Sequence, residues 1–100
     1  MRYRAQSVFR FFKFITTFET MQIKIRAFGI AKDILSTDSL EYEVDDGITI
    51  LQLREKLVLD YPDFERLSSL AFAINESYAK PDAIISQNDE VVLIPPVSGG

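Results

Sequence analysis

Glu90-Val91-Val92-Leu93-Ile94-Pro95-Pro96-Val97-Ser98-Gly99-Gly100 is the stretch on which the reading of this chain turns. Val91 to Ile94 is an unbroken apolar run of strand-forming residues. It predicts a last strand over 90–94, buried on both faces and therefore central in its sheet. Pro95 and Pro96 fix their own φ and cannot donate to a ladder, so the strand has to stop before them. Gly99 and Gly100 add no side chain. The chain is thus expected to leave its folded body and to end in a thin segment with a bare carboxylate, and that carboxylate is read as the functional group.

Working back from the tail, Gln87-Asn88-Asp89 reads as a turn and Ala83-Ile84-Ile85 as an apolar patch under a loop. Leu70-Ala71-Phe72-Ala73-Ile74 is a short buried strand, and Tyr78-Ala79 pairs briefly after the Asn75-Glu76-Ser77 turn. The best helix runs from Thr49 to Asp60. Thr49 is a good N-cap, and Gln52, three residues on, completes a capping box. Ile50, Leu53, Leu57 and Tyr61 recur at helical spacing, so this stripe should lie across a sheet, with Arg54, Glu55 and Asp60 in water. Pro62 ends the helix, and 63–67 can form one further turn.

The first half contains two alternating segments. Ile23, Ile25 and Ala27 oppose Gln22, Lys24 and Arg26. Leu40, Tyr42 and Val44 oppose Glu41 and Glu43. Both are half-buried strands. Between them Phe28-Gly29 breaks the chain, and Ile30 and Ile34, four apart, predict a short helical turn. One main helix on one sheet is an α+β layer. A last strand that is central lies most simply beside the first and parallel to it. That makes a mixed sheet with one main helix packed on it: the β-grasp, or ubiquitin-like, arrangement.

Composition narrows the chemistry. One hundred residues suit one domain. The formal charge is −4, with no cysteine and no histidine. No disulfide, zinc cluster, thiol nucleophile or imidazole base is available. If the chain does chemistry, the reacting group is therefore not expected to be a side chain. Glu41 and Glu43 read as solvated, and Asp45-Asp46-Gly47 as a turn that lacks the further ligands a metal needs.

Residues 1–20 hold Arg2, Arg4, Arg10 and Lys13 against Glu19, a net +3, which leaves −7 on the other eighty. An acidic body argues against nucleic acid and fits docking on a basic protein surface. The aromatic run Val8 to Ile15 is interrupted by Arg10 and Lys13, so 1–20 does not read as a secretory signal. A basic, acid-poor segment can be an organellar targeting peptide or an amphipathic membrane-surface helix; it is taken as an extension outside the fold, disordered or upstream of a true start at Met21. The folded domain is expected over 21–94 and a flexible tail over 95–100. No apolar run is long enough to span a membrane, and a cytoplasmic protein is expected.

Three stretches, taken together, resemble the small subunits of molybdopterin synthase, a family of ubiquitin-like sulfur carriers. They are the opening strand into Phe28-Gly29-Ile30-Ala31-Lys32; Gly47-Ile48-Thr49 with Tyr61-Pro62; and Asn88 through Gly100 with its Pro-Pro-Val-Ser-Gly-Gly ending. The resemblance covers 21–100; the extension 1–20 departs from it. It implies that the Gly100 carboxylate is adenylated and then thiocarboxylated. The sulfur then passes to cyclic pyranopterin monophosphate to form the molybdopterin dithiolene. It implies that Pro95, Pro96, Val97, Ser98 and Gly99 insert into a partner, and that Phe28, Lys32 and Ile94 match positions at the partner interface. The implied partners are the synthase large subunit, in a heterotetramer, a ubiquitin-activating-like adenylyltransferase that uses ATP, and a sulfur donor protein. No cofactor or metal is bound directly, and no turnover is expected of the chain alone. A carrier for thiamine or tungsten cofactor synthesis, a protein modifier joined through Gly100, and a β-grasp binding module with an idle tail remain as alternatives.

Overall fold

Strand β1 (Thr20–Ala27) turns its sequence alternation directly into two faces, with Met21, Ile23, Ile25 and Ala27 buried and Gln22 and Lys24 exposed. The structure is a computed structural model that describes residues 19–96. After β1 come the short helix α1 (Gly29–Leu35), β2 (Ser39–Asp45) and the main helix α2 (Ile50–Asp60). A 3-10 turn (Pro62–Arg66), β3 (Ala71–Ile74), β4 (Ser77–Tyr78) and β5 (Glu90–Ile94) complete it. The sheet order is β2-β1-β5-β3-β4, and β1 and β5 are parallel while the other pairs are antiparallel. This is the mixed α+β, β-grasp sheet expected from the central last strand.

The β1 ladder begins earlier than expected. Thr20 pairs with Asp45, and the Asp46 amide donates to the Glu19 carbonyl at 2.9 Å. The expected boundary at 20/21 therefore falls inside the strand, because β2 still offers backbone there. Residues 1–18 of the expected extension lie outside the described residues, as do Val97, Ser98, Gly99 and Gly100 of the tail.

Helix α2 starts as its sequence dictates. The Gln52 amide donates to Thr49 Oγ1 at 3.2 Å, and the Thr49 amide donates to Gln52 Oε1 at 3.0 Å. Ile50, Leu53 and Leu57 are buried against the sheet. Each such side chain contributes about 1.5–3 kcal/mol from burial. Of the residues expected in water, Arg54 is half-buried, while Asp60 is exposed as expected and also takes partners. Arg54 Nη2 donates to the Leu67 carbonyl at 3.3 Å, closing the chain after the 3-10 turn. Asp60 accepts from the Tyr42 hydroxyl and pairs with Lys56 at 3.6 Å.

Two expectations shift in detail. In α1 the core takes Ala31 and Leu35, while Ile30 stays 48% exposed and Ile34 is half-buried. The small Ala31 side chain lets this short helix lie close to the sheet, and the isoleucines flank it. In β5 only Val91 and Leu93 are fully buried; Val92 and Ile94 are half-buried. The strand is central because it lies between β1 and β3. Its apolar run is two patterns superposed, one for the core and one for an open face that also carries Ala71 and Ala73.

The start of β5 is fastened by side chains. Asn75 Oδ1 accepts from the Glu90 amide at 3.1 Å, and its Nδ2 donates to Asp89 Oδ1 at 2.9 Å. Asp89 Oδ2 also accepts the Ser86 amide at 2.8 Å. The β3–β4 hairpin pays for its tightness in backbone strain: Asn75 and Glu76 both have positive φ, at 49° and 76°. Asparagine tolerates this region, but glutamate does so poorly.

Two predictions follow from this framework. Glu76→Gly should raise thermal stability by about 0.5–1 kcal/mol, measured by calorimetry, because glycine fits the positive φ of a tight hairpin. A loss of stability would show that Glu76 is not strained. Tyr42 has a pKa raised above its usual 10.0, first by burial and then by its bond to Asp60. The folded form therefore holds this proton more tightly than the unfolded chain. Its stability contribution is complete below pH 10 and is lost as pH rises beyond it. Tyr42→Phe should cost about 1 kcal/mol at neutral pH and flatten the fall in stability above pH 10 in alkaline unfolding curves.

Candidate functional site

The end of β5 and the end of β1 leave the sheet side by side. The last register pair is Ala27 with Leu93, so Phe28 and Ile94 follow abreast at the ends of two parallel strands. Ile94 is still held on its other side by Ala71 of β3. Pro95 is half-buried and Pro96 exposed. The proline pair thus marks where ladder bonding stops and the chain departs.

Phe28 keeps an extended backbone, with φ −130° and ψ 160°, and so carries the strand direction one residue further. Gly29 then turns the chain at φ 56° into α1. The Phe28 carbonyl accepts the Ala31 amide at 3.1 Å and the Lys32 amide at 3.3 Å. Lys32 therefore lies one helical turn on from Phe28, exposed to solvent. The Phe28 ring is 51% exposed although it is large and apolar. The three residues expected at a partner interface are thus gathered at the tail root, and Pro95 and Pro96 leave from the same corner. Val97 to Gly100 lie outside the described residues.

Two neighbours were not singled out in the sequence. Arg26 Nη1 lies 3.2 Å from Glu90 Oε2 across the parallel pair, and its guanidinium carbon lies 5.8 Å from the centroid of the Phe28 ring. Both members of the ion pair are partly exposed, so it contributes at most about 1 kcal/mol. The pair steadies the Phe28 ring rather than the fold. The i,i+2 spacing of Arg26 and Phe28 on one strand face was the available signal. Ile30 borders a shallow cavity of about 350 Å³ with Ile34, Leu67 and the charged Asp33, Asp63 and Arg66.

The open face carries Val92 and Ile94 with Ala71 and Ala73, an apolar floor leading to Phe28. The half-exposed Phe28 ring stands beside that floor. Among the described residues no group of three metal-ligating acids, cysteines or histidines comes together. Likewise, no helix there is long and apolar enough to cross a membrane. What this corner offers is an exposed aromatic ring, an apolar floor and a chain that leaves the sheet at Pro95.

Known proteins resemble this chain in sequence and in fold. The chain matches the ThiS family over residues 25–100. It is 33% identical over 82 residues to the molybdopterin synthase sulfur carrier subunit of Arabidopsis thaliana, covering 81% of this chain and 85% of that one. SAMP1 from Haloferax volcanii shares the fold, with a TM-score of 0.68 at 23% identity, over 79% of this chain and 99% of that one. So does a chain of the complex of subunits 1 and 2 of the molybdopterin-converting factor from Helicobacter pylori. There the TM-score is 0.55 at 25% identity, over 80% of this chain and all of that one. The chain belongs to the ThiS family, and the curated relatives it resembles are molybdopterin synthase sulfur carrier subunits.

Proposed function

We propose that the chain is the sulfur carrier subunit of a molybdopterin synthase and that the Gly100 carboxylate carries the sulfur. One observation supports this most directly: the central strand hands the chain to Pro95 and Pro96 at a corner where Phe28 stands half exposed. The body offers a partner something to grip at the place where the tail departs. The family match, which runs through residue 100, supports it further.

The chemistry follows from the groups available. A carboxylate is a poor electrophile and has to be activated before sulfur can be attached. In this reading an adenylyltransferase related to ubiquitin-activating enzymes uses ATP to convert the Gly100 carboxylate to an acyl adenylate. Sulfide-level sulfur from a donor protein attacks the acyl carbon, AMP leaves, and a thiocarboxylate remains. The tail then enters the large subunit and gives its sulfur to cyclic pyranopterin monophosphate. Two such transfers build the dithiolene of molybdopterin, with two carriers and two large subunits in a heterotetramer. This chain contributes no cofactor of its own, and the reading places it in the cytoplasm.

The tail's composition suits that task. Six extended residues, 95–100, reach at most about 20 Å, enough to cross the wall of a partner's pocket. Gly99 and Gly100 allow a narrow channel and close approach of partner backbone. Pro95 and Pro96 limit the entropy lost on insertion. The acidic body steers the carrier towards basic docking surfaces.

Intact-mass spectrometry of the chain, purified from cells that contain the activating enzyme and sulfur donor, tests the reading. The expected result is one oxygen replaced by sulfur at Gly100, and loss of sulfur transfer when one uncleaved residue is appended after it. Isopeptide adducts would favour a protein modifier instead, and a persistently plain carboxylate would sink the carrier. Binding to a thiazole-pathway synthase rather than the molybdopterin large subunit would move the carrier to that pathway.

Phe28→Ala should weaken binding to the large subunit at least tenfold by titration calorimetry. It should leave the melting temperature nearly unchanged, since half of the ring is already in water. Leu59→Ala, at a side chain 81% exposed on α2, should leave both unchanged. Equal affinities for the Phe28 variant and the parent would remove Phe28 from the interface.

A further inference from the structure

Two described glycines have positive φ, and they differ in what surrounds them. Gly47, at φ 81°, has nothing within 4 Å of the place where a Cβ would stand; its backbone angle alone accounts for it. Gly29, at φ 56°, has the Cγ of Pro95 at 3.3 Å from that place. The ring of the first tail residue thus packs into the space that the missing side chain leaves. Any other residue at 29 would have to displace Pro95 by a few tenths of an ångström.

We propose that Gly29 is a positioning residue for the C-terminal tail: it seats the Pro95 ring and thereby sets the direction in which the chain leaves β5. The proposal rests on the carrier reading above and deepens it. Gly29 itself is firmly held. β1 is bonded on both sides as far as Ala27, and the Phe28 carbonyl is fixed by the first two amide bonds of α1. Ala31, fully buried, anchors that helix in the core. Pro95 has a fixed φ and no amide hydrogen to donate to the ladder, so its ring contact helps to orient it. Five further residues reach at most about 17 Å, so a change of heading of about ten degrees at Pro95 shifts the limit of their reach sideways by about 3 Å. A misplacement of about 1 Å can cost a reaction a hundredfold.

A double-mutant cycle of Gly29→Ala and Pro95→Ala in the full chain tests this, because Pro95→Ala removes the Cγ. Two readouts are used: NMR of the free chain, and calorimetric titration against the molybdopterin synthase large subunit. The parent should show a nuclear Overhauser contact between the Gly29 α-protons and the Pro95 ring, and its absence overturns the proposal even if no variant folds. Gly29→Ala should shift the Ile94 and Val97 amides and weaken binding at least tenfold. The double variant should return to within about threefold of Pro95→Ala alone. A loss that persists undiminished in the Pro95→Ala background belongs to strain at positive φ and overturns the proposal. Parent-like binding by Gly29→Ala also overturns it. Should the parent itself not bind the large subunit, the carrier reading falls, and the amide shifts decide alone. Shifts that appear in Gly29→Ala and revert in the double variant support the seat; unchanged shifts overturn it.

Discussion

The parallel pairing of β1 with β5 is the constraint on which the rest of this structure depends. Lys24 to Ala27 lie beside Glu90 to Leu93, and the pairing is extended backwards by the Asn88 amide on the Gln22 carbonyl and the Lys24 amide on the Asp89 carbonyl. Two strands at opposite ends of the domain can be parallel neighbours only if the chain between them crosses the sheet. Helix α2 lies on that crossing, and its Ile50, Leu53 and Leu57 cover the buried face. The strands β2 and β3 then complete the sheet on either side of the central pair.

The same pairing brings Phe28 and Pro95 to one corner of the sheet. Because β1 and β5 run the same way, both leave the sheet at the same end. One continues as Phe28 and α1, the other as Pro95 and Pro96. An antiparallel pair would have put them at opposite ends. The exposed aromatic and the departing tail are together because of strand direction, before any side-chain contact is considered.

The side chains then refine that corner at small energetic cost. Arg26 lies between the Glu90 carboxylate and the Phe28 ring, partly in water, where an ion pair and a cation–π contact are each worth about 1 kcal/mol or less. Such contacts hold a ring in place without adding much to the fold. The core carries the stability, through Ile23, Ile25, Leu53, Leu57, Phe64, Val91 and Leu93. The open face keeps Val92 and Ile94 apolar although water reaches them.

Much of this was legible from local pattern. Alternation in 22–27 and 40–44, the Thr49–Gln52 capping box and the Pro95-Pro96 stop are short-range signals, and each appears in the structure where its own chemistry puts it. That the chain has no thiol and no imidazole side chain needed only the composition. What the sequence could not decide was which of two apolar sets meets the core. Ile30 and Ile34 signalled α1, yet Ala31 and Leu35 are buried, because the approach distance of the helix to the sheet selects the small residue. Val91 to Ile94 read as buried on both faces, yet among the described residues only one face has a helix to cover it. Arg26 with Glu90, Tyr42 with Asp60, and Gly29 with Pro95 are 64, 18 and 66 residues apart, and no spacing rule joins them. Periodicity is a property of one element, whereas contact at these distances exists only after the β1–β5 pairing has closed the sheet.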